Sequence, residues 1–183
     1  MVRDKSEELL EIIKDKALSF GEVTLSSGIK SNFYVDARVV TLSSQGAYLT
    51  ATLILDLLRA HDFDAVGGPA IGADPILGAI AALSWQRNEP VDTFIVRKNA
   101  KAYGKKKQFE GPLKQNSKVV VVDDVLTTGN SIVEAIEAVE NFGCEVVKVV
   151  VLVDRSKDAA KKIKAQGYNL QALFTQEDLG LSS

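Results

Sequence analysis

Residues 118–131 read KVVVVDDVLTTGNS and decide the predicted fold of the chain. They begin with a lysine and four consecutive valines, a β-branched run that is typical of a strand buried on both faces of a parallel sheet. Asp123 and Asp124 follow the valines directly, at the predicted carboxyl end of this strand. Apolar residues then recur at helical spacing, at Ile132, Val133, Ile136 and Val139. The stretch therefore predicts a strand, a polar loop and the start of a helix.

The loop between strand and helix carries hydroxyl and amide side chains and one glycine: Thr127, Thr128, Gly129, Asn130 and Ser131. Free backbone N–H groups and the positive end of a helix dipole make such a junction suitable for an anion, above all a phosphate. The two aspartates would repel a phosphate, so the same ligand must offer them hydroxyl groups or a metal ion. A 5-phosphorylated ribose has both features. The alternative is that the aspartates are turn or capping residues and that Thr-Gly-Asn is an ordinary loop.

The order Asp-Asp-x-x-Thr-Thr-Gly-x-Ser after a valine run resembles the phosphoribosyl diphosphate (PRPP) binding motif of type I phosphoribosyltransferases. The resemblance implies that residues 127–131 hold the 5-phosphate of PRPP, and that Asp123 and Asp124 hold the ribose hydroxyls. The motif indicates the fold and the donor substrate. It does not identify the acceptor base.

Strands alternate with helices along most of the chain, which predicts an α/β fold with a central parallel sheet covered by helices. Strands are predicted at 65–67, 91–96, 118–122, 145–153 and 169–174. Helices are predicted at 4–18, 43–60, 75–86, 129–142 and 157–166. Residues 22–37 contain two strand-like pieces around Ser26-Ser27-Gly28, which indicates a hairpin or a small lobe apart from the main sheet. We expect one phosphoribosyltransferase domain, 1–183, with a small N-terminal hood at about 20–40.

Ligands of open parallel sheets bind beyond the carboxyl ends of the strands. Four groups of residues follow the predicted strand ends, and we expect them to converge on one crevice: residues 67–72, Arg97-Lys98, Asp123-Asp124 and Asp154-Arg155. They offer close backbone approach, positive charge, carboxylates, and a guanidinium able to pair with a planar carboxylate or carbonyl.

Residues 97–111 read RKNAKAYGKKKQFEG and form a strongly basic run beside this crevice. A solvated charged surface is the ordinary interpretation of such a run, and we apply it to part of Lys105–Lys107. Because the run leaves a strand end beside the crevice, we favour a basic lid over a polyphosphate. Closure would exclude water and neutralise a leaving group.

Arg97-Lys98-x-x-Lys101, followed by Gly104 and Glu110-Gly111, is similar to the catalytic loop of the orotate phosphoribosyltransferase family. The resemblance extends over nearly the whole chain. Residues 25–28 and 31–36 resemble the orotate-side loop of that family, and Gly72-Ala73-Asp74-Pro75 resembles one version of its pyrophosphate-side loop. Val153-Asp154-Arg155 resembles its orotate-binding strand end.

This resemblance implies transfer of the 5-phosphoribosyl group from PRPP to orotate, giving orotidine 5'-phosphate and diphosphate in de novo UMP synthesis. It implies catalytic roles for Lys101, Asp123 and Asp124, and contacts of Thr127 and Arg155 with orotate. The implied PRPP-binding residues are Arg97, Lys98, Lys101, Asp123, Asp124, Val125, Leu126, Thr127, Thr128, Gly129, Asn130 and Ser131. Magnesium would arrive on PRPP, with no direct protein ligand assigned. A homodimer with shared active sites is implied as well.

The chain departs from the common pattern of that family at several positions. Many members carry a lysine at the position of Ser26, a lysine at that of Gly72 and a histidine at that of Tyr103. A common Glu-Gly pair is replaced by Ser156-Lys157. The first two differences belong to a variant that contains Gly-Ala-Asp-Pro.

Composition excludes several other classes of protein. The net charge of -2 argues against a general binder of nucleic acid or of a membrane surface. The single cysteine, Cys144, excludes an intramolecular disulfide and a cysteine-based zinc site, and fits a reducing cytoplasm. The apolar runs are too short to span a bilayer. His61, the only histidine, is assigned to a solvated loop.

Two alternative functions share the PRPP motif. A purine-base phosphoribosyltransferase would leave the basic loop and Asp154-Arg155 without the explanation that the orotate family gives them. A non-catalytic PRPP-sensing regulator would keep the phosphate loop but could dispense with Lys101. Lys101 is present in the chain, and no separate DNA-binding segment is found.

Overall fold

The computed structural model describes residues 4–24, 30–98 and 108–181 of the chain. The helices are α1 (Lys5–Lys16), α2 (Arg38–Thr41), α3 (Ser44–Leu58), α4 (Asp74–Gln86), α5 (Asn130–Asn141) and α6 (Lys157–Ala165). The strands are β1 (Leu18–Thr24), β2 (Lys30–Val35), β3 (Ala65–Pro69), β4 (Asp92–Val96), β5 (Phe109–Glu110), β6 (Lys118–Leu126), β7 (Glu145–Asp154) and β8 (Leu170–Thr175). Lys101, Tyr103, Lys105–Lys107 and residues 25–28 of the predicted loops lie outside the described residues.

The main sheet has the strand order β5-β4-β3-β6-β7-β8. Neighbouring strands run parallel from β4 to β8, and only the short edge strand β5 is antiparallel to its neighbour. The predicted α/β fold with a central parallel sheet is therefore confirmed. Among the helices of the described segments, none is both long and apolar enough to cross a bilayer.

The valine run of β6, Val119–Val122, lies at the centre of this sheet and is fully buried. Because side chains alternate along a strand, Val119 and Val121 pack with apolar residues of α5 and α6. Val120 and Val122 pack on the opposite face, with apolar residues of α3 and α4. Helices therefore cover both faces, which explains why this part of β6 is a continuous valine run instead of an alternation of apolar and polar residues.

The predicted N-terminal lobe forms a separate two-stranded antiparallel sheet, in which β1 pairs with β2. Helix α1 begins after Asp4, whose side chain accepts a hydrogen bond from the Ser6 amide. Leu9 and Ile13 of α1 pack in one apolar cluster with residues of β7 and β8. The lobe is thereby attached to one end of the main sheet.

Several predicted boundaries were wrong by a few residues. Leu18 begins β1 instead of ending the first helix, and β3 continues to Pro69. The larger correction concerns β6, which continues to Leu126, so Asp123 and Asp124 lie within the strand and not after it. Pairing with β7, which extends as far as Leu126 opposite Asp154, explains the added length.

Candidate active site

The acidic pair of β6 is held rigidly by the backbone. Asp123 is 7% exposed, and its Oδ1 accepts a hydrogen bond of 2.9 Å from the Asp124 amide. The Oδ1 of Asp124 accepts one of 2.7 Å from the Val125 amide. Both carboxylates are therefore fixed at the carboxyl end of the sheet, where ligands of parallel sheets bind.

Both carboxylates favour the protonated state more than an exposed aspartate does. Burial raises the pKa of Asp123 well above its ordinary value, and the neighbouring charge of Asp124 raises it further. Burial also raises the pKa of Asp124, while the hydrogen bond from Val125 and the charge of Arg38 oppose that shift. Two carboxylates with such raised pKa values in a crevice are typical of a functional site.

The predicted phosphate loop forms the turn between β6 and α5. Gly129 has a φ of 79° and provides no side-chain cap for α5. A left-handed φ favours glycine, so this residue allows the sharp turn from strand to helix. Residues 127–131 line a small polar cavity together with Asp123. The uncapped start of α5 thus faces the cavity in which a phosphate is expected.

Arg155 follows β7 and lies against the N-terminal lobe. Its Nη2 donates a hydrogen bond of 3.2 Å to the Phe33 carbonyl oxygen, and its guanidinium carbon lies 4.5 Å from the centre of the Phe33 ring. Its amide donates to the carbonyl of Leu126, at the end of β6. Burial lowers the pKa of Arg155, although Tyr34 opposes that shift. The structure therefore brings Arg155 into contact with Phe33, which belongs to the predicted orotate-side segment 31–36.

Arg38 is a residue of the crevice that the sequence interpretation missed. Its Nε lies 3.3 Å from Oδ1 of Asp36, whose charge and hydrogen bond are the main causes of the raised pKa of Arg38. The charge of Arg38 in turn acts to lower the pKa of Asp124. The signal available in the sequence was the spacing Asp36-x-Arg38 directly after the lobe. This spacing places a cation beside the acidic pair of a strand far away in the chain.

Arg97 and Lys98, the first residues of the basic run, follow β4. They therefore lie on the side of β6 opposite to Arg155, which follows β7. Arg97 Nη1 donates a hydrogen bond of 3.0 Å to Oε1 of Glu110. Arg97 and Lys98 line a cavity of about 260 Å³ with Ala70 and Ser131. The structure thus brings the two cations next to the phosphate loop, as predicted, whereas the pairing of Arg97 with Glu110 was not foreseen.

The loop after β3 completes the crevice, because Gly72 lies directly against the carboxylates of Asp123 and Asp124. Among the described residues, no group of three or more histidine, cysteine, aspartate or glutamate side chains is placed to hold a metal ion. The two carboxylates suit an ion that brings most of its own ligands, which is how magnesium binds with substrate phosphates.

The crevice combines a phosphate loop, an acidic pair and cations on two sides, which is the arrangement of a phosphoribosyl-transferring enzyme. Residues 45–172 match the family model described as "Phosphoribosyl transferase domain". The chain therefore belongs to the phosphoribosyltransferase family.

Comparison with individual proteins identifies a narrower group within the phosphoribosyltransferase family. The chain is 45% identical over 174 residues to an orotate phosphoribosyltransferase of Streptomyces avermitilis, which covers 94% of this chain and 96% of the relative. It superimposes on Mycobacterium tuberculosis orotate phosphoribosyltransferase in complex with Fe(III) dicitrate with a TM-score of 0.86, at 39% identity, covering 97% of this chain and 100% of the other. The PRPP complex of the M. tuberculosis enzyme gives a TM-score of 0.81 at 36% identity, covering 97% and 100% of the two chains. Within its family, the chain thus groups with the orotate phosphoribosyltransferases.

Proposed function

We propose that this crevice transfers the 5-phosphoribosyl group of PRPP to orotate, giving orotidine 5'-phosphate and diphosphate for UMP synthesis. The observation that carries the proposal is the position of the acidic pair. In the sheet order, the end of β6 that carries Asp123 and Asp124 lies between the end of β4, followed by Arg97 and Lys98, and the end of β7, followed by Arg155. PRPP can therefore place its ribose on the carboxylates and its diphosphate beside Arg97 and Lys98. The acceptor base, the second substrate, can then bind beside Arg155.

The acidic pair has two roles in the proposed reaction. Its oxygens accept hydrogen bonds from the ribose hydroxyls and thereby hold the sugar in place. Breaking the bond at ribose C1 gives the ring cationic character, which nearby carboxylate charge stabilises. Because both carboxylates are already held by backbone amides, they need little reorganisation during the reaction. No covalent nucleophile is required.

The acceptor base binds beside Arg155, where this residue meets the N-terminal lobe. Orotate is planar and anionic, so a guanidinium can hold it through two parallel hydrogen bonds. The partly desolvated Arg155 already stacks on the Phe33 ring, which keeps its fork oriented. Thr127 is the second proposed contact with orotate.

The leaving diphosphate is held by cations on the opposite side. Arg97 and Lys98 supply two of them, and Lys101 is proposed to supply a third. The 5-phosphate is held by Thr127–Ser131, with Val125 and Leu126 contributing backbone at the start of the loop. Magnesium carried by PRPP would neutralise charge on the diphosphate when bound, and Asp123 and Asp124 are the carboxylates able to hold it.

We further propose that residues 1–183 form a single domain and that the chain works as a cytoplasmic homodimer with shared active sites. Large apolar side chains around α2 and the start of α3 support the dimer: Val39, Leu42 and Tyr48 are 49%, 72% and 47% exposed. Contiguous exposed apolar side chains are typical of protein–protein interfaces.

A spectrophotometric assay tests the proposed reaction. Purified protein is incubated with PRPP and magnesium, and with orotate, adenine, hypoxanthine or uracil in parallel. We expect turnover with orotate and none with adenine, hypoxanthine or uracil. Turnover with a purine would support the purine-base alternative, and PRPP binding without any turnover would support the PRPP-sensing regulator.

A further inference from the structure

The loop from β3 to α4 passes so close to the acidic pair that no side chain fits on Gly72 without a shift of its neighbours. A methyl group on Gly72 would lie 2.6 Å from Oδ1 of Asp123 and 2.6 Å from Oδ1 of Asp124. It would also lie 2.9 Å from Cγ of Asp124. Non-bonded carbon and oxygen atoms do not approach so closely, so any side chain at this position must displace either the carboxylates or the loop.

The carboxylates have little freedom to move away. The Oδ1 atoms that meet Gly72 are the same atoms that accept hydrogen bonds from the Asp124 and Val125 amides. Moving either oxygen therefore breaks a charge-assisted hydrogen bond in a buried site. The short aspartate side chain has no flexible end that could absorb the displacement.

The loop is fixed as well. Ala73 is fully buried, and its amide donates a hydrogen bond of 3.2 Å to the Pro69 carbonyl. Its Cβ lies so close to β3 that a methyl group on Gly68 would come within 2.6 Å of it. The next residues begin α4, where Pro75 restricts the backbone of the first turn.

We propose that Gly72 is a positioning residue, which fixes the orientation of Asp123 and Asp124 toward the ribose by letting the loop pack directly on both carboxylates. The absence of a side chain is then the functional property of this position. The inference rests on the proposed function, because it assigns those carboxylates to the ribose. It also predicts that a lysine cannot be introduced at position 72 of this chain without loss.

Gly72→Ala tests the proposal, with Gly78→Ala as the matched control. Gly78 lies in α4, is exposed, and has no atom within 4 Å of a methyl group placed on it. We expect Gly72→Ala to lower kcat about a hundredfold, the effect of misplacing a catalytic group by about 1 Å. Circular dichroism and the KM for orotate should stay near those of wild type, and Gly78→Ala should keep full kcat.

Two further variants separate positioning from charge and from packing. Gly72→Lys adds a cation beside the carboxylates; a charge role predicts an unchanged or higher kcat, whereas the positioning role predicts a loss similar to that of Gly72→Ala. In a background of Asp123→Asn with Asp124→Asn, Gly72→Ala should cost much less than in wild type, because both carboxylates on which it acts have already lost their charge. Additive losses, an active Gly72→Lys, or loss of native circular dichroism in Gly72→Ala would each overturn the proposal.

The outcome is separable from that of the proposed function. The kcat ratio can be measured with whichever base the wild-type protein uses. Calorimetry with magnesium and PRPP gives the same comparison without any base, and Gly72→Ala should bind PRPP more weakly than Gly78→Ala. Equal PRPP affinities and equal kcat values in the two variants would contradict the inference, whereas failure of orotate turnover in wild type would contradict only the function.

Discussion

Asp123 is a buried carboxylate whose charge serves the proposed reaction and destabilises the folded protein. Burial and the nearby charge of Asp124 raise its pKa, so the folded protein keeps this proton to higher pH than the unfolded chain does. The free energy of unfolding therefore falls as the pH rises from the ordinary aspartate pKa of about 3.9 through the raised value. Such a residue is expected where function, not stability, determines the side chain.

Replacing Asp123 should separate these two effects. Asp123→Asn keeps the size and the oxygen that accepts from the Asp124 amide, but it removes the charge. We expect turnover to fall roughly tenfold to a thousandfold, as on removal of one electrostatic group. We also expect the unliganded variant to unfold at higher urea than wild type at pH 7, with the difference shrinking toward pH 4.

The control is Asp158→Asn, whose side chain is 97% exposed. Its turnover and urea midpoint should match those of wild type. Equal or lower stability of Asp123→Asn at pH 7 would contradict the assigned cause of the raised pKa.

A substitution of Arg155 should impair the use of the acceptor, orotate, and leave the binding of the donor, PRPP, nearly unchanged. A lysine cannot reproduce the paired hydrogen bonds of a guanidinium, so Arg155→Lys should lower kcat/KM for orotate roughly tenfold to a hundredfold. The KM for PRPP should change little, because the PRPP contacts lie on β6 and its loop. Steady-state kinetics with each substrate varied in turn measures both, and Arg59→Lys, at a surface position, is the control. Similar losses for both substrates would be evidence against the assignment.

Strand β6, its loop and α5 form the element that positions the phosphate site. Gly129 and Gly143 lie at the two ends of α5, with φ values of 79° and 92°. An alanine at either position must adopt a left-handed conformation, which costs about 1–2 kcal/mol. The two glycines therefore provide substitutions of similar backbone strain at the functional and the non-functional end of one helix.

Gly129→Ala and Gly143→Ala should lose comparable free energies of unfolding, but only the first should weaken PRPP binding. The new conformation at 129 would turn the amides at the start of α5 away from the phosphate, raising the KM for PRPP roughly tenfold to a hundredfold. Kinetics and urea unfolding of both variants test this. A similar KM for PRPP in the two variants would indicate that the start of α5 does not bind the phosphate.

The elements, and the turn that holds the proposed phosphate loop, were predictable where the pattern was strong and local. The valine run and the alternation of strands with helices predicted the parallel sheet, and the order of residues after the run predicted the turn from β6 to α5. The extension of β6 through Asp123 was missed because aspartate is unfavourable in strands, yet pairing with β7 overrides that preference. The short elements α2 and β5 carry too few residues for any periodicity. Arg38 and the pairing of Arg97 with Glu110 were missed because such contacts become visible only in three dimensions.

The whole molecule is proposed to act as a dimer in which Lys101 serves the crevice of the neighbouring subunit. The support on the described surface is the exposed apolar group of Val39, Leu42 and Tyr48. Each active site would then combine Asp123–Ser131 of one chain with Lys101 of the other. Such a dimer predicts that two defective variants can restore each other's activity, which a site built from one chain alone does not predict.

Lys101→Ala and Asp124→Asn proteins, each with strongly reduced activity, should regain activity when their subunits exchange. Half of the dimers would be mixed, and each mixed dimer would have one site with both substitutions and one with neither. Activity should therefore recover to about a quarter of that of wild type. Exchange is verified by native mass spectrometry, and absence of recovery after verified exchange would show that Lys101 serves its own chain.

The central claim is that the acidic pair of β6 carries phosphoribosyl transfer to orotate, and one reaction followed by ³¹P NMR and orotate absorbance tests it most directly. The account predicts that PRPP and orotate disappear together and that free diphosphate and orotidine 5'-phosphate appear in equal amounts. The folded double variant, Asp123→Asn with Asp124→Asn, should release diphosphate at least a hundredfold more slowly, on the order expected for lost electrostatic stabilisation. Diphosphate release without consumption of orotate, or an unchanged rate in the folded double variant, would contradict the claim.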